Sequence, residues 1–192
     1  MNRNMILAGV GGQGLLALAA VIGEAARSLD LDVRQAEVHG MAQRGGVVQS
    51  HLRYADRPLH SNLVQEGTAD LILALEPMEA LRYLPYLSPT GALVSSTAPL
   101  VNIPDYPDEA TILAEIQSAS SHRLVDATAL AKEAGALQAA NMVMLGAGSP
   151  FLGLPESALL AAIRQFFSGK GKTVIETNER AFQLGRTAAK TP

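Results

Sequence analysis

A chain of 192 residues with 48% hydrophobic and 17% charged side chains can build one large apolar core and is the opposite of a disordered composition. Its formal net charge of −3 provides no electrostatic attraction to nucleic acid or to an anionic membrane. With no cysteine, the chain can form no disulfide, no thiolate zinc site and no cysteine-ligated iron–sulfur cluster of its own.

In chain order, residues 4–8 hold the near-continuous apolar run of a central parallel strand. It runs into Gly9-Val10-Gly11-Gly12-Gln13-Gly14, a glycine turn of the kind that lets backbone N–H groups face an anion or a closely packed partner. A helix follows, with Leu15, Leu18, Ala19, Ile22, Ala25, Ala26 and Leu29 forming a buried stripe. A turn at 30–32 leads into a second strand over 33–38. Next comes a loop in which the long polar side chains of His39, Gln43 and Arg44 are punctuated by Gly40, Gly45 and Gly46. Such a loop presents donors suited to a phosphate, a carboxylate or a partner's backbone, although a merely solvated loop has the same composition.

Residues 46–54 alternate in polarity, which predicts a half-exposed strand with an antiparallel partner, His51 lying on it. Residues 69–75 read as a buried strand, and Glu76-Pro77 opens a helix to about Leu84. A strand at 91–95 precedes a Pro-, Thr- and Asn-rich surface connection over 96–108. A short edge strand is expected at 123–126, then helix from Ala127 with a break at Ala134-Gly135.

The helix over 138–145 is apolar nearly all round, so it is buried in the core or against a partner. If it faces a partner, the isolated chain should self-associate, a homodimer being the simplest form. An amphipathic helix over 156–167 is followed by a loop at 169–172. A terminal helix over 177–189 has Thr177 or Asn178 as its cap, and Asn178, Ala181, Phe182 and Gly185 fit close helix packing. Strands alternating with helices, and no internal repeat, predict a single α/β domain over 1–192 with three α/β/α layers. Its sheet is Rossmann-like and mostly parallel, with an antiparallel strand.

Gly9, Gly11 and Gly14 satisfy G-x-G-x-x-G, and Glu37 falls about where a ribose-binding acid belongs, which raises the alternative of a self-contained NAD(P)-dependent dehydrogenase. Against it, the strand after Glu37 does not look like a third parallel strand, and none of Tyr54, Tyr83, Tyr86 or Tyr106 has a Tyr-x-x-x-Lys spacing. The four histidines lack the i, i+4 spacing of a helical zinc site, and no catalytic residue or metal ligand is assigned. Aromatic residues at 4% and the absence of Trp argue against a base-stacking platform. No apolar run approaches the ~18–20 residues of a membrane span, and no signal peptide precedes the first strand, so a cytoplasmic location is expected.

The glycine turn, the 37–46 segment Glu-Val-His-Gly-Met-Ala-Gln-Arg-Gly-Gly, the Asn141-Met142 helix and the stretch from Asn178 to Gly185 together resemble the gamma domain of the 2-oxoacid:ferredoxin oxidoreductases. The 37–46 segment looks like the version typical of the aryl-pyruvate enzymes, indolepyruvate oxidoreductase above all. The resemblance implies a small subunit of a complex that oxidatively decarboxylates a 2-oxoacid, passes the acyl group to coenzyme A and reduces ferredoxin. It implies that thiamine diphosphate, Mg and [4Fe-4S] clusters lie in a large catalytic alpha subunit. This chain has neither cysteines nor a Gly-Asp-Gly diphosphate motif to hold them. Gly9, Gly11, Gly12, Gln13, Gly14, His39, Gln43 and Arg44 would then border the partner's active site or help hold coenzyme A.

Overall fold

The computed structural model describes residues 1–39, 45–101 and 103–189. Met5, Ile6, Leu7 and Ala8 form the middle of β1 (Asn2–Val10), and all four are fully buried. A strand paired on both edges and covered on both faces takes apolar residues at every position, so alternation is absent there. The chain continues through α1 (Leu15–Arg27), β2 (Asp32–His39), β3 (Val47–Ala55), β4 (Ala69–Ala74), α2 (Pro77–Arg82) and β5 (Leu87–Ser96). Then come α3 (Glu109–Ser118), β6 (His122–Val125), α4 (Ala127–Ala134), α5 (Ala140–Leu152), α6 (Glu156–Phe166) and α7 (Lys172–Ala188).

The six strands lie in the order β2-β3-β1-β4-β5-β6. β1, β4, β5 and β6 pair in parallel, whereas β3 runs antiparallel to both β1 and β2. Met5, Leu7, Leu71, Leu73 and Val94 pack beneath α1, α4, α5, α6 and α7, while Ile6, Ile72 and Leu93 meet α2 and α3 on the opposite face. The expected three-layer α/β/α arrangement, mostly parallel with one antiparallel strand, is the one observed. Among the described residues, no helix is long and apolar enough to cross a membrane.

Two local expectations need correction, one helix was not foreseen, and one open alternative closes. β3 is not half-exposed: it lies between β1 and β2, and its polar residues His51 and Arg53 meet the connection to β4. Arg53 donates to the carbonyls of Ser61 and Leu63 in that connection, and the Val64 N–H donates to His51. α7 begins at Lys172, with Gly171 in the N-cap position and no side-chain cap. Asn178 therefore sits inside the helix, where its Nδ2 donates to the Val174 carbonyl at 2.8 Å. α3 gives little signal in sequence because only Ile112 and Ile116 are buried, but Asp108 caps it by accepting from the Thr111 N–H at 3.0 Å.

The open alternative concerns α5, expected in the core or against a partner. Met142, Val143, Met144 and Leu145 are fully buried in this chain's own core, the first of those alternatives, so these four side chains offer no partner-facing surface. Burial of each such side chain contributes about 1.5–3 kcal/mol. What lets α5 sit so deep is its contact with α7. A Cβ on Gly146 would lie 1.9 Å from the Phe182 carbonyl oxygen, and one on Gly185 would lie 1.8 Å from that of Val143. The two helices thus touch backbone to backbone, as the small residues near Ala181 and Gly185 lead one to expect.

Candidate functional site

The carboxyl ends of β1, β4, β5 and β6 open on one edge of the sheet, where α/β folds of this kind bind ligands. The turn from β1 to α1 occupies that edge. Gly14 holds the N-cap position of α1 at φ 81°, a left-handed conformation. A Cβ there would also approach Asn141 Nδ2 to 2.5 Å. Gln13 closes the turn from within: its Oε1 accepts from the Val10 N–H at 2.8 Å, and its Nε2 donates to the Leu75 carbonyl at 3.1 Å. Its amide therefore ties the end of β1 to the end of β4.

Gly11 joins this turn to the second glycine-punctuated loop. Its N–H donates to the Gly46 carbonyl at 2.8 Å, and its carbonyl accepts from the Gly45 N–H at 3.4 Å. His39 ends β2 opposite Val48 of β3, at the same sheet edge. Gln43 and Arg44 lie outside the described residues. The two sequence-predicted loops are therefore neighbours, linked through Gly11, Gly45 and Gly46.

Glu37 is not placed for a ribose. It lies on the edge strand β2, opposite Ser50, and β3 separates it from β1. Two strand spacings, roughly 9–10 Å, thus stand between Glu37 and the strand that carries the glycine turn. The antiparallel insertion of β3 removes the adjacent acid on which the NAD(P) alternative rests.

On the other side of the turn is a cavity of about 330 Å³. Gly12, Gln13 and Gly14 form one wall, Leu75 the floor, and Ser96, Ala98, Pro99 and Leu100 a second wall. Ala127 and Thr128 at the start of α4, with Leu137, Gln138, Asn141 and Met144, complete it. Among the described residues, none that lines it is charged. Asn141, 6% exposed, donates its Nδ2 to the Gly14 carbonyl at 3.1 Å, while its buried Oδ1 has no partner among the described residues. Such a buried acceptor costs free energy unless something donates to it. Among the described residues, no group of three or more His, Cys, Asp and Glu side chains is placed to hold a metal ion.

Glu76, one residue past Leu75, is fully buried. Its Oε2 accepts from the Glu79 N–H at 2.9 Å and so caps α2. Its Oε1 accepts from the Leu100 N–H at 3.3 Å and from the Tyr106 hydroxyl. Burial, then the hydrogen bond to Glu76, push the Tyr106 phenol above its ordinary range. Glu79 is also fully buried, which raises its carboxyl despite the Arg82 guanidinium 2.9 Å away. His51 is buried rather than half-exposed: its Nδ1 accepts from the Val64 N–H at 3.1 Å, and its ring meets Tyr86 edge-on at 5.5 Å. Burial lowers its pKa, and accepting that hydrogen bond requires the neutral ring.

Sequence reasoning identified the glycine turn but missed Asn141, Glu76 and Thr128 as parts of the candidate site. Asn141 carried a usable signal, being a polar residue in an otherwise apolar helix. Glu76 read only as the residue before a helix-opening proline.

A family model described as pyruvate ferredoxin/flavodoxin oxidoreductase matches residues 4–188. Indolepyruvate oxidoreductase subunit IorB of Methanothermobacter thermautotrophicus is 38% identical over 198 residues, covering 98% of both chains. Among solved structures, 2-oxoglutarate:ferredoxin oxidoreductase from Magnetococcus marinus, determined with 2-oxoglutarate, coenzyme A and succinyl-CoA bound, aligns with a TM-score of 0.80 at 25% identity. That alignment takes in 100% of this chain and 31% of the Magnetococcus chain, so this fold is one portion of a longer polypeptide there. The gamma subunit of a keto/oxoacid ferredoxin oxidoreductase from Geobacter sulfurreducens shares the fold, with a TM-score of 0.74 over 99% of both chains at 24% identity.

Proposed function

From the premise that this chain belongs to the pyruvate ferredoxin/flavodoxin oxidoreductase family, as a small subunit of a 2-oxoacid:ferredoxin oxidoreductase, we propose that its complex acts on indolepyruvate or another aryl-pyruvate. The single observation that carries the choice of substrate is the end-to-end likeness to an indolepyruvate oxidoreductase subunit, 38% identical over 98% of both chains. The complex carries out coenzyme A-dependent oxidative decarboxylation and delivers electrons to ferredoxin. Thiamine diphosphate, Mg and the [4Fe-4S] clusters reside in a large alpha subunit, since a chain without cysteine has no thiolate for a cluster. The small subunit works as one cytoplasmic domain over 1–192 and is inactive alone.

The surface offered to the large subunit and to coenzyme A is the carboxyl edge of the sheet. Gly9, Gly11, Gly12, Gln13 and Gly14 shape it, and His39, Gln43 and Arg44 are the polar residues that the sequence offers for binding there. The apolar side chains Leu16, Val38, Val101 and Leu137, between 49% and 67% exposed, belong to the segments at this edge and suit a protein partner. The cavity fits only part of coenzyme A. Its uncharged walls and the unpaired Asn141 Oδ1 suit a neutral group with an N–H or O–H donor. Without Lys or Arg in the lining, its phosphates need cations from elsewhere, Arg44 among them.

Purification of the tagged chain from its native cell tests this reading. The expected outcome is a large subunit in fixed ratio, with thiamine diphosphate and iron in the complex and neither in the separated small chain. Recovery of the chain alone, or with a nicotinamide cofactor, would reject it.

A further inference from the structure

Glu76 makes more hydrogen bonds than capping a helix requires. A single oxygen suffices for the N-cap of α2, and Asp, Asn, Ser or Thr ordinarily provides it. The longer side chain here uses Oε2 for the cap and leaves Oε1 for two donors from the segment after β5, the Leu100 N–H and the Tyr106 hydroxyl. A fully buried carboxylate is tolerated only when its acceptors are satisfied, so the segment and the acid stabilise one another.

That segment is the wall of the cavity. Its start is fixed to the sheet edge: the Thr97 N–H donates to the Val125 carbonyl at 3.0 Å, and the Ala98 N–H to Ser96 Oγ at 3.2 Å. Beyond those bonds, residues 99–101 and 103–108 carry three prolines at Pro99, Pro104 and Pro107 and two exposed apolar side chains, Val101 and Ile103. Such a stretch has little secondary structure to hold it, and Glu76 meets it at both Leu100 and Tyr106.

We propose that Glu76 is a positioning residue for the cavity: through Leu100 and Tyr106 it latches the strap of residues 97–101 and 103–108 in place, so that Ala98, Pro99 and Leu100 stand as a wall against a bound ligand. The choice of coenzyme A as that ligand rests on the function proposed above, whereas the latch does not. Glu76→Asp keeps the cap of α2 while withdrawing the carboxylate by one methylene. Tyr106→Phe leaves Glu76 intact and removes one donor.

The test is amide hydrogen exchange on the full chain, followed by steady-state kinetics of the reconstituted complex. Both variants should exchange about tenfold faster at Leu100 and neighbouring strap amides, with β4 and α2 unchanged. In the complex, the KM for coenzyme A should rise about three- to tenfold, with kcat within about twofold and the KM for the oxoacid unaltered. Strap exchange within about twofold of wild type in both variants overturns the latch. Faster strap exchange with unchanged KM, where coenzyme A protects the wild-type strap from exchange, overturns the positioning role. Faster strap exchange with no such protection in wild type supports the latch and rejects coenzyme A as the cavity's ligand.

Discussion

The side-chain amide of Asn141 donates to the carbonyl of Gly14 across 127 positions of sequence, tying the first turn of α5 to the turn that launches α1. Gly14 is at φ 81°, and a Cβ there would meet Asn141 Nδ2 at 2.5 Å. Gly14→Ala should therefore destabilise the isolated chain by about 2 kcal/mol or more, from the left-handed backbone and the collision together. Asn141→Ala should cost about 1 kcal/mol, as loss of one hydrogen bond. In the Asn141→Ala background, Gly14→Ala should cost less than in wild type. Urea unfolding of the four chains measures this coupling, and strict additivity would show that the contact does not form.

The close approach of α5 and α7 at Gly146 and Gly185 gives a sharper stability test. Because each missing Cβ would strike helix backbone rather than a movable side chain, Gly146→Ala and Gly185→Ala must each push α5 and α7 apart. A loss of about 3 kcal/mol is expected from either, the upper end of typical overpacking costs. Thermal unfolding reads it directly. Tolerance of both substitutions would mean that the helices lie farther apart.

His51 sets an acid dependence. Burial holds the folded-state pKa of its ring below the ordinary 6.5, so the unfolded chain binds the proton more readily. Stability from this group is fully present above pH 6.5 and is lost as pH falls from there through the lowered folded value. Glu79 acts in the opposite sense: its raised carboxyl pKa adds stability as pH falls through the folded value toward its ordinary range. The comparison is thus with His51→Leu, whose stability should decline less than that of wild type between pH 7 and the lowered value. Parallel pH profiles for the two chains would contradict a neutral, buried His51.

The pattern of strands and helices was readable because its signals are local. The continuous apolar runs at 5–8 and 69–75, the stripe on α1 and the Gly135 stop each act within one segment. Neighbour order is a different matter. Nothing local requires β3 to lie between β1 and β2, and that single placement converts Glu37 from a candidate ribose ligand into an edge-strand residue. The cavity was hidden for a related reason. Its walls come from the turn after β1, the ends of β4 and β5, the start of α4 and the approach to α5, each unremarkable alone. Likewise, the choice between core and interface for Met142 and Leu145 depended on Gly146 meeting Phe182 and Gly185 meeting Val143 in space, which composition cannot reveal.

Arg44 is the cationic side chain that sequence places in the loop preceding Gly45 and Gly46, and Gly11 anchors the far end of that loop. If its guanidinium clamps a carboxylate or phosphate during turnover, Arg44→Lys should assemble normally and lose about 1–3 kcal/mol of binding, with Arg44→Ala losing at least as much. The stability of the isolated chain should barely change. Michaelis constants of the reconstituted complex for oxoacid and coenzyme A decide it. Unaltered constants and unaltered assembly in Arg44→Ala would leave the loop without a binding role.

The most direct measurement is reduction of a low-potential acceptor with indolepyruvate and coenzyme A, made on the purified chain, on the large subunit and on the two recombined. The isolated small chain should be colourless and without turnover, because it has no cysteine to ligate a cluster. Full coenzyme A-dependent activity should appear only when both subunits are present. Turnover by the small chain alone, or a large subunit whose activity is indifferent to its addition, would contradict its place as a working subunit of the complex.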